Sequence, residues 1–126
     1  MQIHESAEDY LETILLLSEE RNQVRSVDIA NALGYSKPSI SVAMKRLRER
    51  GCIEVSPEGY ITLTQTGMDI AQRIRMRHDL LKHFLMHLGV PEATAQADAC
   101  KMEHDLSEES FDALCAHARK YTVIPE

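Results

Sequence analysis

A chain of 126 residues with 44% hydrophobic positions is long enough for one or two small units with a real core. No stretch approaches the roughly 20 apolar residues that span a bilayer, and the first residues lack a basic segment followed by an apolar run, so no membrane association, no signal peptide and a cytoplasmic location are expected. The net charge of -6 speaks at first sight against nucleic acid, yet between Ser36 and Arg50 stand Lys37, Lys45, Arg46, Arg48 and Arg50 against Glu49 alone, and phosphate attraction is local, acting over roughly 8–10 Å.

Residues 6–20 repeat apolar side chains at helical spacing, with Tyr10, Ile14, Leu15 and Leu17 marking one stripe. Asp9 and Glu12 stand i, i+3 on the same segment and project together. Ser26 is expected to cap a helix through Leu33 that Gly34 ends. Ser36 caps the next helix, with Pro38 in its first turn, Ile40, Met44 and Leu47 facing inward, and Gly51 as its stop. Cys52–Val55 and Tyr60–Leu63 read as short strands joined by Ser56-Pro57-Glu58-Gly59, a hairpin. Helix, helix-turn-helix and hairpin in this order make a winged helix. Ser36, Lys37, Pro38, Ser39 and Ser41 are then expected to meet base edges and phosphates of double-stranded DNA, and Lys45, Arg46 and Arg48 the phosphates. Serine side chains read few bases, so DNA shape would carry part of the specificity.

One helical pattern runs from Thr64 to Leu88, with Gly67 in its first turn and Gly89 beyond its end. Pro91 opens another that reaches about Asp105, and Ser107-Glu108-Glu109 caps a third, Ser110 to Tyr121, with the remainder to Glu126 a loose end. The apolar surface of the long helix (Ile70, Ile74, Leu80, Leu81, Phe84, Leu85, Leu88) exceeds what two short helices cover, which predicts a homodimer. Cys100, Glu103 and His104 stand i, i+3 and i+4, so metal-type ligands share one helix face. The other cysteines, Cys52 and Cys115, read as structural, and an odd, irregularly spaced set of three fits a reducing compartment. His83 and His87 stand i, i+4 without an acid partner and read as surface residues; Met68, Met76 and Met86 read as packing.

The expected fold is mainly α: a winged helix-turn-helix DNA-binding domain in residues 1–66, then a helical metal-binding and dimerization domain in residues 67–126. A pair of helical acids is more often an ordinary solvated face, and a lone cysteine more often a small core residue. Three readings follow from the residues. The first is a regulator in which metal held between the two ends of the chain sets how the middle meets DNA. The second is a winged-helix regulator answering a small organic ligand. The third, a metallohydrolase, lacks a His-Glu-x-x-His motif and leaves the basic helix unexplained, so no enzymatic activity is expected.

Five segments, Glu8-Asp9-Tyr10-Leu11-Glu12, Val27-Asp28-Ile29-Ala30, Thr64-Gln65-Thr66-Gly67, Arg77-His78-Asp79-Leu80-Leu81 and Cys100-Lys101-Met102-Glu103-His104, resemble the diphtheria-toxin-repressor family of metal-dependent regulators. The resemblance covers essentially the whole chain. It implies a homodimer that binds palindromic operator DNA when loaded with Mn(II) or Fe(II), with Zn(II) or Co(II) expected to bind in vitro. It also implies a ligand set of Asp9, Glu12, His78, Cys100, Glu103 and His104. That set is a hybrid: manganese-type members resemble it at Asp9 and Glu12 but carry Glu in place of Cys100, whereas iron-type members resemble it at Cys100 but carry Met in place of Asp9. Lys82 and Gln96 stand where the iron-type ancillary site would want an acid and a histidine. A sequence ending at Glu126, without an SH3-like extension, is closest in architecture to the manganese-transport-regulator branch.

Overall fold

Leu11, Ile14 and Leu15 recur at i, i+3 and i+4, and this spacing lets the first helix, α1 (Glu5–Glu20), bury one face. In a computed structural model, which describes residues 5–120, contacts divide the chain into two units, Met1–Gln72 and Arg73–Glu126. Tyr10, expected on the buried stripe of α1, is only half-buried; it meets Tyr35 edge to face at 6.2 Å, and Leu11 takes the core position instead.

Helix α2 (Ser26–Leu33) and helix α3 (Lys37–Glu49) form the helix-turn-helix. Ser26 is not the cap of α2 but its first residue: Arg25, extended at φ -119 and ψ 164, holds the cap position. The reason lies at Asp28, whose carboxylate accepts the Arg25 backbone N–H at 2.9 Å and pairs with Arg21 at 3.0 Å. Gly34 (φ 72) ends α2 in the left-handed region that glycine adopts without penalty, and its N–H and that of Tyr35 both donate to the Ala30 carbonyl. The chain then turns straight into α3. Ile40, Met44 and Leu47 of α3 are buried as the spacing predicts.

Strands β1 (Ile53–Val55) and β2 (Ile61–Leu63) pair antiparallel in the register Ile53↔Leu63, Glu54↔Thr62, Val55↔Ile61. Each is one residue shorter at its start than the sequence indicates. Ser56 closes the hairpin, its Oγ accepting the Tyr60 N–H at 3.0 Å. The Ile61 N–H donates to the Val24 carbonyl at 2.7 Å, tying β2 to the segment after α1. Within this unit α1 packs on α2 and β2, α2 on α3, and α3 on β1. Fully buried Leu11, Ile14, Ile29 and Ile40 each stabilise this core by about 1.5–3 kcal/mol. Cys52 is also fully buried; burial pushes its thiol up from the ordinary value, with Arg50 pulling the other way, which suits a structural role.

Helix α4 (Gln65–His87) is capped by Thr64, whose Oγ1 accepts the Gly67 N–H and donates to the Gly51 carbonyl at 2.6 Å. Gly67 is there because α4 passes against the segment between α3 and β1: a Cβ at this position would run into the backbone carbonyl oxygen of Cys52. The boundary between the units falls inside α4, after Gln72. In the second unit follow α5 (Glu92–Met102) and α6 (Glu108–Lys120). Helix α5 stops at Met102, short of the expected Asp105, because the Asp105 N–H turns back to the Met102 carbonyl at 3.1 Å. Helix α6 begins two residues before Ser110, whose N–H donates to Ser107 Oγ at 3.1 Å. Its expected last residue, Tyr121, and the loose end to Glu126 lie outside the described residues.

Ile74, Leu80 and Leu81, expected to await a second subunit, are buried in the single chain, as are Ala95, Ala99 and Ala118. The larger apolar side chains left exposed in this unit are Met76, Met86, Leu88 and Met102. No described helix is long and apolar enough to cross a membrane.

Replacing Gly67 by Ala separates two opposed effects. Alanine improves helix propensity by up to ~1 kcal/mol, but overpacking against a backbone carbonyl, which cannot rotate away, costs about 1–3 kcal/mol. The expected outcome is a net loss of stability in urea unfolding; a stabilised G67A would show that the contact with Cys52 is not tight.

Candidate metal centre and nucleic-acid interface

Two groups of side chains stand out, one in each unit. In the second, α5 buries Ala95 and Ala99 one turn apart, and the next residue of that stripe is Glu103, the C-cap of the helix. Its backbone is still helical (φ -61, ψ -26) and its N–H donates to the Ala99 carbonyl, so the carboxylate continues the buried face of α5. The Glu103 side chain is only 2% exposed.

A buried carboxylate must be matched by positive charge or hydrogen bonds. Two imidazoles do this here. His78 Nδ1, from α4, lies 2.8 Å from Glu103 Oε2, and His104 Nε2 lies 3.3 Å from Glu103 Oε1. Cys100 Sγ, from the exposed side of α5, lies 3.7 Å from His78 Nδ1. The structure therefore brings together His78, Cys100, Glu103 and His104. One sequence expectation is adjusted: Glu103 and His104 stand at and beyond the end of α5, not within it. Asp9 and Glu12 lie i, i+3 on α1 in the first unit, both half-buried. Lys82 pairs with Glu92 at 3.5 Å. Carboxylate, imidazole and thiol together suit a first-row divalent ion, so the residues present fit a metal.

In the first unit, α3 sorts its residues by face. Ser36, Lys37, Pro38, Ser39, Ser41, Lys45, Arg46 and Arg48 are all exposed. Ser36 Oγ accepts the Ser39 N–H at 3.3 Å and lies 2.9 Å from Ser39 Oγ, so both serines are engaged in the cap. Val42, 54% exposed among these polar neighbours, is the apolar residue the sequence reading passed over. Its signal was legible: it sits at i+2 from Ile40 and therefore off the buried face. Next to the hairpin, Arg25 donates to Tyr60 Oη at 3.1 Å and covers its ring at 4.6 Å, a pair that is distant in sequence and was not foreseen.

A second residue missed is Arg77. Its guanidinium donates to the Glu103 and Leu106 carbonyls at 3.2 and 2.8 Å and lies 5.0 Å from the Phe111 ring. The available signal was an arginine at helical spacing between the apolar residues Ile74 and Leu81.

A winged helix with a basic, exposed second helix, followed by a helical unit with a buried carboxylate between imidazoles, defines a class of protein: a metal-dependent transcription regulator. Residues 2–60 match the iron-dependent repressor N-terminal DNA-binding domain, and residues 64–126 its metal-binding and dimerisation domain. The chain belongs to the iron-dependent repressor family. It is 40% identical over 117 residues to the transcriptional regulator MntR of Escherichia coli O6:H1, covering 93% of this chain and 76% of the relative. Among solved structures it is similar to a manganese-dependent transcriptional repressor in complex with manganese (TM-score 0.81, 29% identity, 88% of this chain and 51% of that one). It is also similar to the manganese regulator SloR (TM-score 0.79, 27% identity, 94% and 55%). The chain spans about half the length of these two solved proteins.

The cap at Ser36 gives a direct test of how α3 is held. Ser36→Ala is expected to lower stability by about 1 kcal/mol in urea unfolding, whereas Ser36→Asp, which keeps an acceptor for the Ser39 N–H, should hold it within a few tenths. Equal losses in both variants would show that the cap does not fix the start of α3.

Proposed function

We propose that this protein represses transcription by binding palindromic operator DNA as a homodimer when loaded with Mn(II) or Fe(II). The observation that carries this reading is the Glu103 carboxylate, buried between His78 and His104 with Cys100 beside them. The exposed cationic face of α3 supports the DNA half of the reading, and similarity to a manganese-dependent repressor supports the metal half. Exposed Met76, Met86, Leu88 and Met102 support a subunit interface in the second unit.

His78, Cys100, Glu103 and His104 would hold the metal from the second unit, with Asp9 and Glu12 completing the set from the first. A bound divalent ion supplies the positive charge that allows several acidic ligands to share one site. In its absence, repulsion between acidic ligands opposes an arrangement that gathers them. Ligand sharing is thus conditional on the metal, and it shifts the population of orientations open to the winged helices toward one that places both α3 helices in successive major grooves. Metal at 100 times its dissociation constant would stabilise the bound form by about 2.7 kcal/mol, enough for roughly a hundredfold change in DNA affinity when that form is the competent one.

On DNA, Lys37, Lys45, Arg46 and Arg48 would contact phosphates, while Pro38, Ser41 and Val42 face base edges; an apolar Val42 suits a thymine methyl group. Ser36 and Ser39, engaged with each other, would contribute chiefly through the start of the helix and its backbone N–H groups.

Binding to a palindromic operator should be weak in chelator and rise with Mn(II), with Fe(II) under anaerobic conditions, and with Zn(II). The ranking at buffered metal levels would choose the physiological ion. His104→Ala should remove the metal dependence while leaving a folded protein by circular dichroism. Equal binding with and without metal would sink the proposed switch. Lys45→Ala should weaken binding to all sequences alike and reduce the salt slope by about 1; an unchanged slope would remove Lys45 from the phosphate contacts.

A further inference from the structure

The inner face of α4 in the second unit reads Ile74, Arg77, His78, Leu81, at i, i+3, i+4 and i+7. Three of these have an evident use: Ile74 and Leu81 are core residues and His78 touches Glu103. Arg77 is the exception, a guanidinium with its side chain 7% exposed. Burying it is unfavourable unless its charge and N–H groups are matched. Nη1 donates to two backbone carbonyls, those of Glu103 (3.2 Å) and Leu106 (2.8 Å). Nη2 lies 3.9 Å from Glu108 Oε1, on a carboxylate that is itself exposed. The guanidinium lies over the Phe111 ring, and Nε has no hydrogen-bond partner.

Both carbonyls that Nη1 joins belong to the segment after α5. That segment carries Glu103 and His104, and its carbonyls lack helical N–H partners, where a cation is favourably placed. Arg77 reaches neither the carboxylate nor the imidazoles; it holds Glu103 by its backbone. We infer that Arg77 is a positioning residue for the metal centre: it clamps the 103–106 turn so that the Glu103 carboxylate stays between His78 and His104. This rests on the metal reading proposed above. The competing explanation is that Arg77 only braces α4 against the turn and α6, contributing stability with no effect on the ligands.

Lysine distinguishes the two. It keeps the charge and can reach one carbonyl, but it lacks the planar fork that joins two carbonyls and lies on a ring. The experiment is a Co(II) titration of the full chain, wild type against Arg77→Lys and Arg77→Met, followed by the visible absorption of the bound ion and by competition with a chelator. Thermal melting of the metal-free proteins is measured alongside. The expected result is a 10- to 100-fold loss of Co(II) affinity in both variants, as when other outer partners of metal ligands are removed. It includes altered Co(II) bands and no rescue by lysine. Wild-type affinity and bands in a variant with a lowered melting temperature would overturn the inference and leave a structural brace. Should both substitutions prevent folding, Phe111→Leu removes the ring beside the guanidinium and leaves every candidate ligand in place. It is expected to shift the bands in the same direction with a smaller loss of affinity, and an unchanged spectrum would overturn the inference. A wild-type protein that takes up no Co(II) would overturn the metal reading itself, and the role of Arg77 with it.

Discussion

A carboxylate that is 2% exposed constrains everything packed around it. Glu103 cannot be left alone in that position, because an unmatched buried charge costs several kcal/mol even after relaxation. Its neighbours follow from this: two imidazoles on its two oxygens, and a guanidinium on its backbone carbonyl. Ala95 and Ala99 precede it on the same face and are fully buried, so the smallest side chains of α5 permit close packing just before a charged one. If these side chains serve the proposed centre, holding them in place this way would reduce the entropy lost on binding.

The same helical periodicity that buries one face of α3 exposes the other. Ile40, Met44 and Leu47 point into the core, and this forces Ser41, Val42, Lys45 and Arg48 outward. The tight turn through Gly34 fixes where α3 begins, and the cap at Ser36 fixes its first residue. A basic helix in a chain of net charge -6 is therefore no contradiction. The cations are concentrated by geometry on one surface, while most acids lie elsewhere in the sequence.

Local signals were legible where the chain decides its own geometry. The glycine ending α2, the serine capping α3, the hairpin and the long helix all follow from turn chemistry and apolar spacing, and the structure moves their ends by only a residue or two. Where it departs from the sequence reading, a specific side-chain partner or tertiary packing intervenes. Ser26 loses the cap position because Asp28 reaches back to the Arg25 N–H. Tyr10 leaves the buried stripe to meet Tyr35. Ile74, Leu80 and Leu81 are covered by tertiary packing that apolar spacing alone does not reveal. Within the candidate centre, the grouping of Cys100, Glu103 and His104 was visible as a helical spacing, and His78 entered through family resemblance. The contacts of Arg77 with carbonyls 26 and 29 residues away are not encoded in any local pattern.

The donor set of the proposed centre also bears on which metal it would serve. Glu103 and the imidazoles are hard to borderline donors, whereas Cys100 is soft once ionised. Their settings differ: the carboxylate is buried and fixed from two sides, while Cys100 stands on the exposed side of α5. The enclosed part of the group is thus the part that would suit Mn(II) and Fe(II), and the soft donor is the least enclosed. Raw affinity would still rise toward Zn(II) along the divalent series whichever donors engage. Discrimination against zinc cannot then come from the identity of the ligands alone. It has to come from coordination geometry that leaves a tetrahedral ion unable to assemble the active arrangement, or from a cell that keeps free zinc far below free manganese and iron. The fixed Glu103–His78–His104 arrangement makes the geometric route physically reasonable, because a rigid set of donors cannot contract around an ion that demands a different shape.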